Sequence, residues 1–297
     1  MIKVLFIINS SKFLSKRARE ALDLCISSKK LNCKKVYTTK SKDAIQIALN
    51  GANDGANLIV AVGGDGTCNE VLNGILSSEN SSVVMGIIPN GTGNDFQRMF
   101  GEFIPERFLE LIESQNSSKI DILKVNAKDK HHFALNIAGG GFDGFVVNIL
   151  ENQRKKLKLD GKISYAIAIL RCFLLYKRPI VELKSREFNY FGECLLVAAC
   201  NGTTFGHGLV IHPEAKLDSG KIAVTLMGKV TLLDYVKNLY KLKVGCRIDH
   251  PEVKYFTTNE ISIRTIHTPL YSQADGEFLS NSSIKVEALP AALYFLH

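Results

Sequence analysis

The sequence predicts an α/β domain with a parallel sheet, followed by a β-rich domain. Three observations carry this. In the first third, buried strand-like runs alternate with helical stretches. After about Asp121 short strand-like runs dominate, separated by Gly, Asn and charged turns. Two glycine-rich loops also follow consecutive strands of the first part, where open α/β sheets bind ligands.

The elements follow in order. Ile2–Ile8 reads as a buried strand, with a basic helical stretch from about Ser15. Lys34–Thr38 is a short strand and Asp43–Asn50 is helical. Leu58–Val62 is a strand, and Val71, Leu72, Ile75 and Leu76 form a helical stripe. Val83–Ile88 is the next strand. Such alternation implies right-handed βαβ crossovers. Later strands are expected at Ile122–Val125, Phe133–Ile137, Val181–Lys184, Leu195–Ala199, Ile222–Leu226, Glu260–Arg264 and Ile284–Ala288. Two helical insertions interrupt them, near residues 163–176 and at Leu232–Val244. The boundary falls near residues 118–128, giving domains 1–122 and 123–297, with the last strand able to pack back on the first domain.

Composition narrows the class. The 297 residues are 46% hydrophobic and 22% charged, which excludes a disordered chain, a collagen-like chain and a coiled coil. The apolar stretch Ile163–Tyr176 is too short to span a bilayer core, and Val4–Ile8 is too short for a signal-peptide core. The expected location is therefore cytoplasmic. Seven cysteines without a Cys-x-x-Cys pair read as free, mostly buried thiols rather than a disulfide framework or metal cluster.

The formal charge of +8 is unevenly spread. Residues 1–40 carry ten Lys or Arg against Glu20 and Asp23, and residues 151–178 carry eight against Glu151 and Asp160. Two basic patches suggest a polyanionic ligand or an anionic surface. The second frames Ile163, Ile167, Leu170 and Leu174 on one helical face. That pattern suits either a phospholipid surface or an ordinary surface helix on the core. No nucleic-acid motif accompanies the charge, so nucleic acid is not an expected partner.

Three motifs carry chemistry. Gly63-Gly64-Asp65-Gly66-Thr67-Cys68-Asn69-Glu70 lies between a strand and an amphipathic helix. Glycines allow close backbone approach, and the helix start offers unpaired N–H groups to phosphate. Pro89-Asn90-Gly91-Thr92-Gly93-Asn94-Asp95-Phe96 follows the next strand. Asp65 and Asp95 thus suit Mg²⁺ in one crevice, or alternatively cap two helices as Asx turns. Ala274-Asp275-Gly276-Glu277 is either a pair of working carboxylates or an ordinary Asp-Gly hairpin turn.

Together these motifs resemble the diacylglycerol kinase catalytic family, which includes bacterial soluble lipid kinases, sphingosine kinases and ceramide kinases. The chain looks closest to the bacterial soluble type. Asn136-Ile137-Ala138-Gly139 with Gly141-Phe142-Asp143, Gly161-Lys162-x-x-Tyr165, and Asn201-Gly202 extend the match over nearly the whole chain. The first motif alone is shared with NAD kinases and phosphofructokinases.

The resemblance implies a phosphofructokinase-like α/β domain and a β-sandwich, with ATP in the cleft between them. Residues Gly64, Asp65, Gly66, Thr67, Cys68, Asn69 and Glu70 would hold the nucleotide phosphates, with Thr92, Thr39 and Asn9 nearby. Asp65, Asp95 and Glu277 would organise Mg²⁺, largely through water, and Asp275 would be the general base toward a lipid hydroxyl. The acceptor would be diacylglycerol-like or sphingoid, met at an anionic membrane surface by a transiently associated protein. Oligomeric state is left open by the sequence, with an edge strand of the β-rich domain available for a homodimer.

Three departures stand out. The family usually opens with Asn-Pro-x-Ser-Gly; here Asn9 is followed by Ser10, Ser11, Lys12 and Phe13, leaving Lys12, Lys16 or Arg17 to substitute. Lys216-Leu217-Asp218-Ser219-Gly220-Lys221 has Ser219 where bacterial members carry an aspartate for a structural Mg²⁺, so Lys216, Asp218, Ser219 and Lys221 form an altered candidate site. His207 stands between Gly206 and Gly208, where glycine is common. The competing readings are a kinase of a soluble hydroxyl compound such as NAD, and a nucleotide-binding sensor without turnover. The Asp275-Gly276-Glu277 match argues against an NAD kinase.

Overall fold

A computed structural model describes residues 1–128, 130–154, 169 and 171–297. The chain order is β1 (Ile2–Ile8), α1 (Lys16–Ser27), β2 (Leu31–Tyr37), α2 (Asp43–Asn53), β3 (Leu58–Gly63), α3 (Asp65–Leu76), β4 (Val84–Pro89), α4 (Pro105–Glu113), β5 (Ser117–Ala127), β6 (Lys130–Ala134), β7 (Ile137–Gly141), α5 (Phe142–Arg154), β8 (Ile180–Lys184), β9 (Asn189–Glu193), β10 (Leu196–Cys200), β11 (Thr204–Phe205), β12 (Leu209–Val210), β13 (Ile222–Met227), α6 (Leu232–Val244), β14 (Val253–Thr258), β15 (Glu260–Thr265), β16 (Ser272–Ala274), β17 (Glu277–Ser280) and β18 (Ile284–Leu296).

β2, β1, β3 and β4 pair in parallel, in that order. Side chains alternate across a strand, so β1 feeds two cores. Leu5 and Ile7 pack toward α2 and α3, against Ala44, Ala48, Val71 and Leu72. Val4, Phe6 and Ile8 pack toward α1 and α4, against Ala18, Leu22, Phe108 and Ile112. Burial on both faces explains the unbroken apolar run Val4–Ile8.

β18 joins the domains. Tyr294 and Phe295 pair in parallel with Val84 and Met85, while Ile284–Glu287 pair antiparallel with β15. The strand shifts register against β5 between Leu289 and Leu293, where Ala291 adopts φ 49°. There its amide donates to Asp121, at 2.9 Å. A second, antiparallel sheet runs β14-β13-β10-β7-β16-β17. Leu123, Val125, Leu183, Val197, Val224 and Val286 fill the space between the sheets.

Several expectations need correction. Phe133–Ile137 is not one strand: β6 stops at Ala134 and β7 starts at Ile137. The amides of Leu135 and Asn136 turn aside to donate to the Asp275 carboxylate, at 2.7 and 2.9 Å. β2 starts three residues before the expected Lys34. The expected helix near 163–176 lies mostly outside the described residues; residues 171–175 are helical. All seven cysteines are free, five of them buried. Among the described residues, no helix is long and apolar enough to cross a membrane.

Candidate active site

Two glycine-rich turns meet at the carboxyl edge of the parallel strands. Gly64, extended at φ −99°, precedes α3, whose first residues are Asp65, Gly66 and Thr67. The turn after β4 packs directly against it. A Cβ on Gly91 would sit 2.4 Å from the Cα of Gly64, so only glycine permits this approach. The first-turn amides of α3 thereby face an accessible crevice with the positive end of the helix dipole behind them.

The altered loop after β1 closes one side of this crevice. The Asn9 side-chain amide donates to the Thr67 hydroxyl at 2.9 Å, and Asn9 Oδ1 accepts from Ser11. The Lys12 ammonium donates to the Thr92 hydroxyl at 2.8 Å. Of the three basic residues considered, Lys12 is thus the one at the crevice. Arg17 pairs with Glu102, and Lys16 lies on the outer face of α1 beside Glu20 and Asp23.

Carboxylates converge from both domains. Gly93 lies between two of them: a Cβ there would be 3.0 Å from Asp65 Oδ2 and 3.5 Å from Asp95 Oδ2. Burial, and then the nearby negative charge of Asp95, push the Asp65 carboxyl above the usual carboxylate range. Such a pair attracts a cation. Glu277 joins from the other domain, with Oε1 at 3.4 Å from the Cβ position of Gly66.

Asp95 also spans the domains. It accepts from the backbone amides of His207 and Gly208, at 3.0 and 2.8 Å. These belong to the tip of the β11–β12 ribbon, where Gly206, His207 and Gly208 all have positive φ. The left-handed run points successive amides toward one acceptor. Arg98 Nε stands 3.7 Å from the same carboxylate.

Asp275 is the most extensively held group. With Gly276 it forms the two-residue turn of the β16–β17 hairpin, at φ 48° and 81°. Positive φ at both positions is what a type I′ turn requires, and Asp-Gly supplies it. The hairpin reading of this motif is therefore realised. Asp275 Oδ2 accepts from Asn69 Nδ2 and the Leu135 amide, at 2.9 and 2.7 Å. Oδ1 accepts from the Asn136 and Ile137 amides, at 2.9 and 3.0 Å. Burial raises the Asp275 carboxyl, while these four N–H donors favour its ionised form.

The remaining sequence candidates fall elsewhere. Glu70 is turned to the start of α2, where it accepts from the amides of Lys42 and Ala44. Thr39 donates to Asp43 from both its amide and its hydroxyl. Cys68 is buried behind the loop, and burial holds its thiol protonated. In the 216–221 loop, the Ser219 hydroxyl reaches the carbonyls of Lys221 and Lys216, at 3.0 and 3.4 Å. Asp218 is the only carboxylate within the loop itself and is exposed; from outside it, Asp121 accepts from the Gly220 amide at 2.6 Å. Among the described residues, no three His, Cys, Asp or Glu side chains converge on one metal position.

With this geometry, two comparisons decide the family. The diacylglycerol kinase catalytic domain model matches residues 3–125. The YegS C-terminal NAD kinase beta sandwich-like domain matches residues 136–297, more than half of the chain. The chain belongs to this lipid kinase family. As a family member it is a kinase, and its two domains are the α/β and β-sandwich units seen here. It is 29% identical over 261 residues to "Probable lipid kinase YegS" of Escherichia coli O127:H6, covering 86% of this chain and 83% of that one. The Shigella flexneri protein of the same name matches at the same identity and coverage. Among solved structures, a diacylglycerol kinase from Bacillus anthracis str. Sterne superposes with TM-score 0.71 at 21% identity, over 99% of this chain and 96% of that chain. An NAD kinase from Archaeoglobus fulgidus in complex with ATP superposes with TM-score 0.52 at 13% identity, over 100% and 94%. These two likenesses concern the fold.

Sequence reasoning missed several groups that build this kinase site. The His207 and Gly208 amides that hold Asp95 carry no side-chain signature, although the Gly-His-Gly triplet marks their turn. Arg98 follows Asp95 by three residues and went unremarked. Asp121, on β5 at the end of the first domain, accepts from the amides of Gly220 and Ala291 and so ties the 216–221 loop to β18.

Proposed function

We propose that this kinase transfers the γ-phosphate of ATP to the hydroxyl of a diacylglycerol-like or sphingoid lipid presented at an anionic membrane surface. One observation carries the reading: Asp65 and Asp95 from one domain and Asp275 and Glu277 from the other border the same glycine-rich crevice. Phosphoryl transfer needs charge neutralisation and an aligned hydroxyl more than covalent help. The α3 amides and Lys12 meet the phosphate charge from the first domain.

Hard carboxylate oxygens at Asp65, with Asp95 and Glu277 nearby, suit Mg²⁺, with water and phosphate completing its shell. The ion would neutralise charge on the transferred group. Asp275 takes the base role: the acceptor hydroxyl shares one of its oxygens with an existing N–H donor. Because the alkoxyl proton leaves late, a strongly raised basicity is unnecessary.

The test is ATP consumption by the purified chain with vesicles of phosphatidylcholine and phosphatidylglycerol containing either dioleoylglycerol or sphingosine. Stimulated turnover with a phosphorylated lipid in the mass spectrum is expected. Turnover on NAD alone would favour a soluble acceptor. ATP binding without turnover across a lipid panel would favour a sensor.

A further inference from the structure

α6 carries two apolar faces, and only one is used by the fold. Leu242 is buried, and Tyr235 packs in the same cluster beneath the helix. A second stripe points outward: Leu233 is 61% exposed, Val236 57%, Tyr240 74% and Val244 50%. At 3.6 residues per turn these four fall within about 80° of the helix circumference. Isolated exposed apolar side chains are ordinary, but an aligned row of four is not.

A second exposed apolar pair lies on a segment that packs beneath the helix: Phe173 meets the inward-facing Tyr235, with ring centroids 6.2 Å apart, and Leu174 and Leu175, next in the chain, are 74% and 63% exposed. Lysines border the stripe. Lys237 and Lys241 flank one side, Lys243 the other, and Lys229 precedes the helix. The acidic residue of α6, Asp234, is engaged in the capping box with Thr231 and stands 3.8 Å from His250. Glu252 accepts from the Lys229 amide. The face presented outward is therefore apolar at its centre and cationic at its margins.

We propose that the outer stripe of α6, together with Leu174 and Leu175, is the surface on which this protein lies against an anionic phospholipid bilayer. The proposal rests on the lipid kinase reading and places the membrane contact chiefly on α6, beyond the 151–178 segment to which the charge pattern pointed. Apolar side chains enter the headgroup–acyl boundary while flanking lysines meet anionic headgroups. The placement also suits the chemistry. α6 ends at Gly245, whose Cβ position is 3.6 Å from Val210 of the β11–β12 ribbon. The tip of that ribbon holds Asp95, so a bilayer under α6 lies next to an element that closes the catalytic groove.

The test is sedimentation with vesicles of phosphatidylcholine alone or mixed with phosphatidylglycerol, without nucleotide or acceptor lipid. Its outcome is therefore independent of whether the chain turns over. The Val236→Ser/Tyr240→Ser double variant should lose at least about tenfold in partition onto mixed vesicles. Lys237→Glu/Lys241→Glu should lose about fivefold or more per lysine at low salt, and much less at high salt. Thermal melting of each variant, at the wild-type midpoint, shows that the fold is intact. Wild-type partition in both variants, or no binding of the wild type to either vesicle, overturns the proposal. So does a wild-type dimer that the Val236→Ser/Tyr240→Ser variant converts to monomer, because the stripe would then be a subunit contact.

Discussion

Asp275→Asn should destabilise the protein strongly, beyond any effect on catalysis. The aspartate offers four acceptor positions, and all four are used. An asparagine keeps one oxygen and turns the other into a donor. In one orientation its nitrogen faces the Asn136 and Ile137 amides; in the other it faces Leu135 and Asn69. Asn69 cannot simply flip to compensate. Its nitrogen also donates to the Phe133 carbonyl, and its oxygen accepts from Asn73. Two buried donors therefore lose their acceptor. At about 1–3 kcal/mol each, the cost is roughly 2–6 kcal/mol. At roughly 2 °C per kcal/mol for a chain of this size, the melting midpoint falls by about 4–12 °C. Circular dichroism melts of both proteins at pH 7, beside a phosphoryl-transfer assay, make the measurement. Activity lost with the midpoint within about 1 °C of wild type would refute the reasoning, leaving Asp275 a purely chemical role.

Lys12→Ala should weaken ATP binding about tenfold relative to ADP, because a charge-assisted contact to the terminal phosphate is worth about 1.5–3 kcal/mol; calorimetry with both nucleotides reads the ratio. Gly91→Ala should cut nucleotide affinity severely while the protein remains folded, since its Cβ would meet the Gly64 backbone at 2.4 Å; calorimetry and a far-ultraviolet spectrum check the two halves. Asp143 supplies a pH prediction. Burial raises its carboxyl to about 6, against hydrogen bonds from the Gln273 side chain and the backbone amides of Gly144 and Asp143. A raised folded value means that the stabilisation is complete below the unfolded value and is lost as pH rises through about 6. Asp143→Asn should therefore gain about 3 kcal/mol on the wild type between pH 4 and pH 7, read from denaturant melts across that range.

What was legible in the sequence was whatever rests on local pattern. Val4–Ile8 is apolar because both its faces are covered, and the run alone identifies a central parallel strand. Leu232–Val244 was legible to the residue because Thr231 and Asp234 form a capping box and Gly245 ends the helix at φ 75°. α5 was missed: Phe142–Arg154 begins directly after the glycines of β7, and its buried Asp143 interrupts the apolar pattern. The break at Leu135–Asn136 was invisible because its cause, Asp275, lies about 140 residues away. The candidate-site motifs were legible as glycine spacing, yet not the sorting within them. Nothing in Gly64–Glu70 says that Asn69 reaches Asp275 while Glu70 turns to α2.

The same hydrogen bonds show that the carboxylates of the groove are held mainly by neutral donors. Across the domains, aspartates are matched with neutral N–H groups: Asp95 with His207 and Gly208, Asp275 with Asn69 and with amides of its own domain. One cation, Arg98, stands 3.7 Å from Asp95, while the hydrogen bonds that fix both carboxylates come from neutral donors. Backbone amides fix the carboxylates and leave the net negative charge in place. The positive side is supplied by Lys12 on Thr92 and by the start of α3. The positive groups share their elements with the negative ones: Asp65 opens α3, and Asp95 lies in the same turn as Thr92.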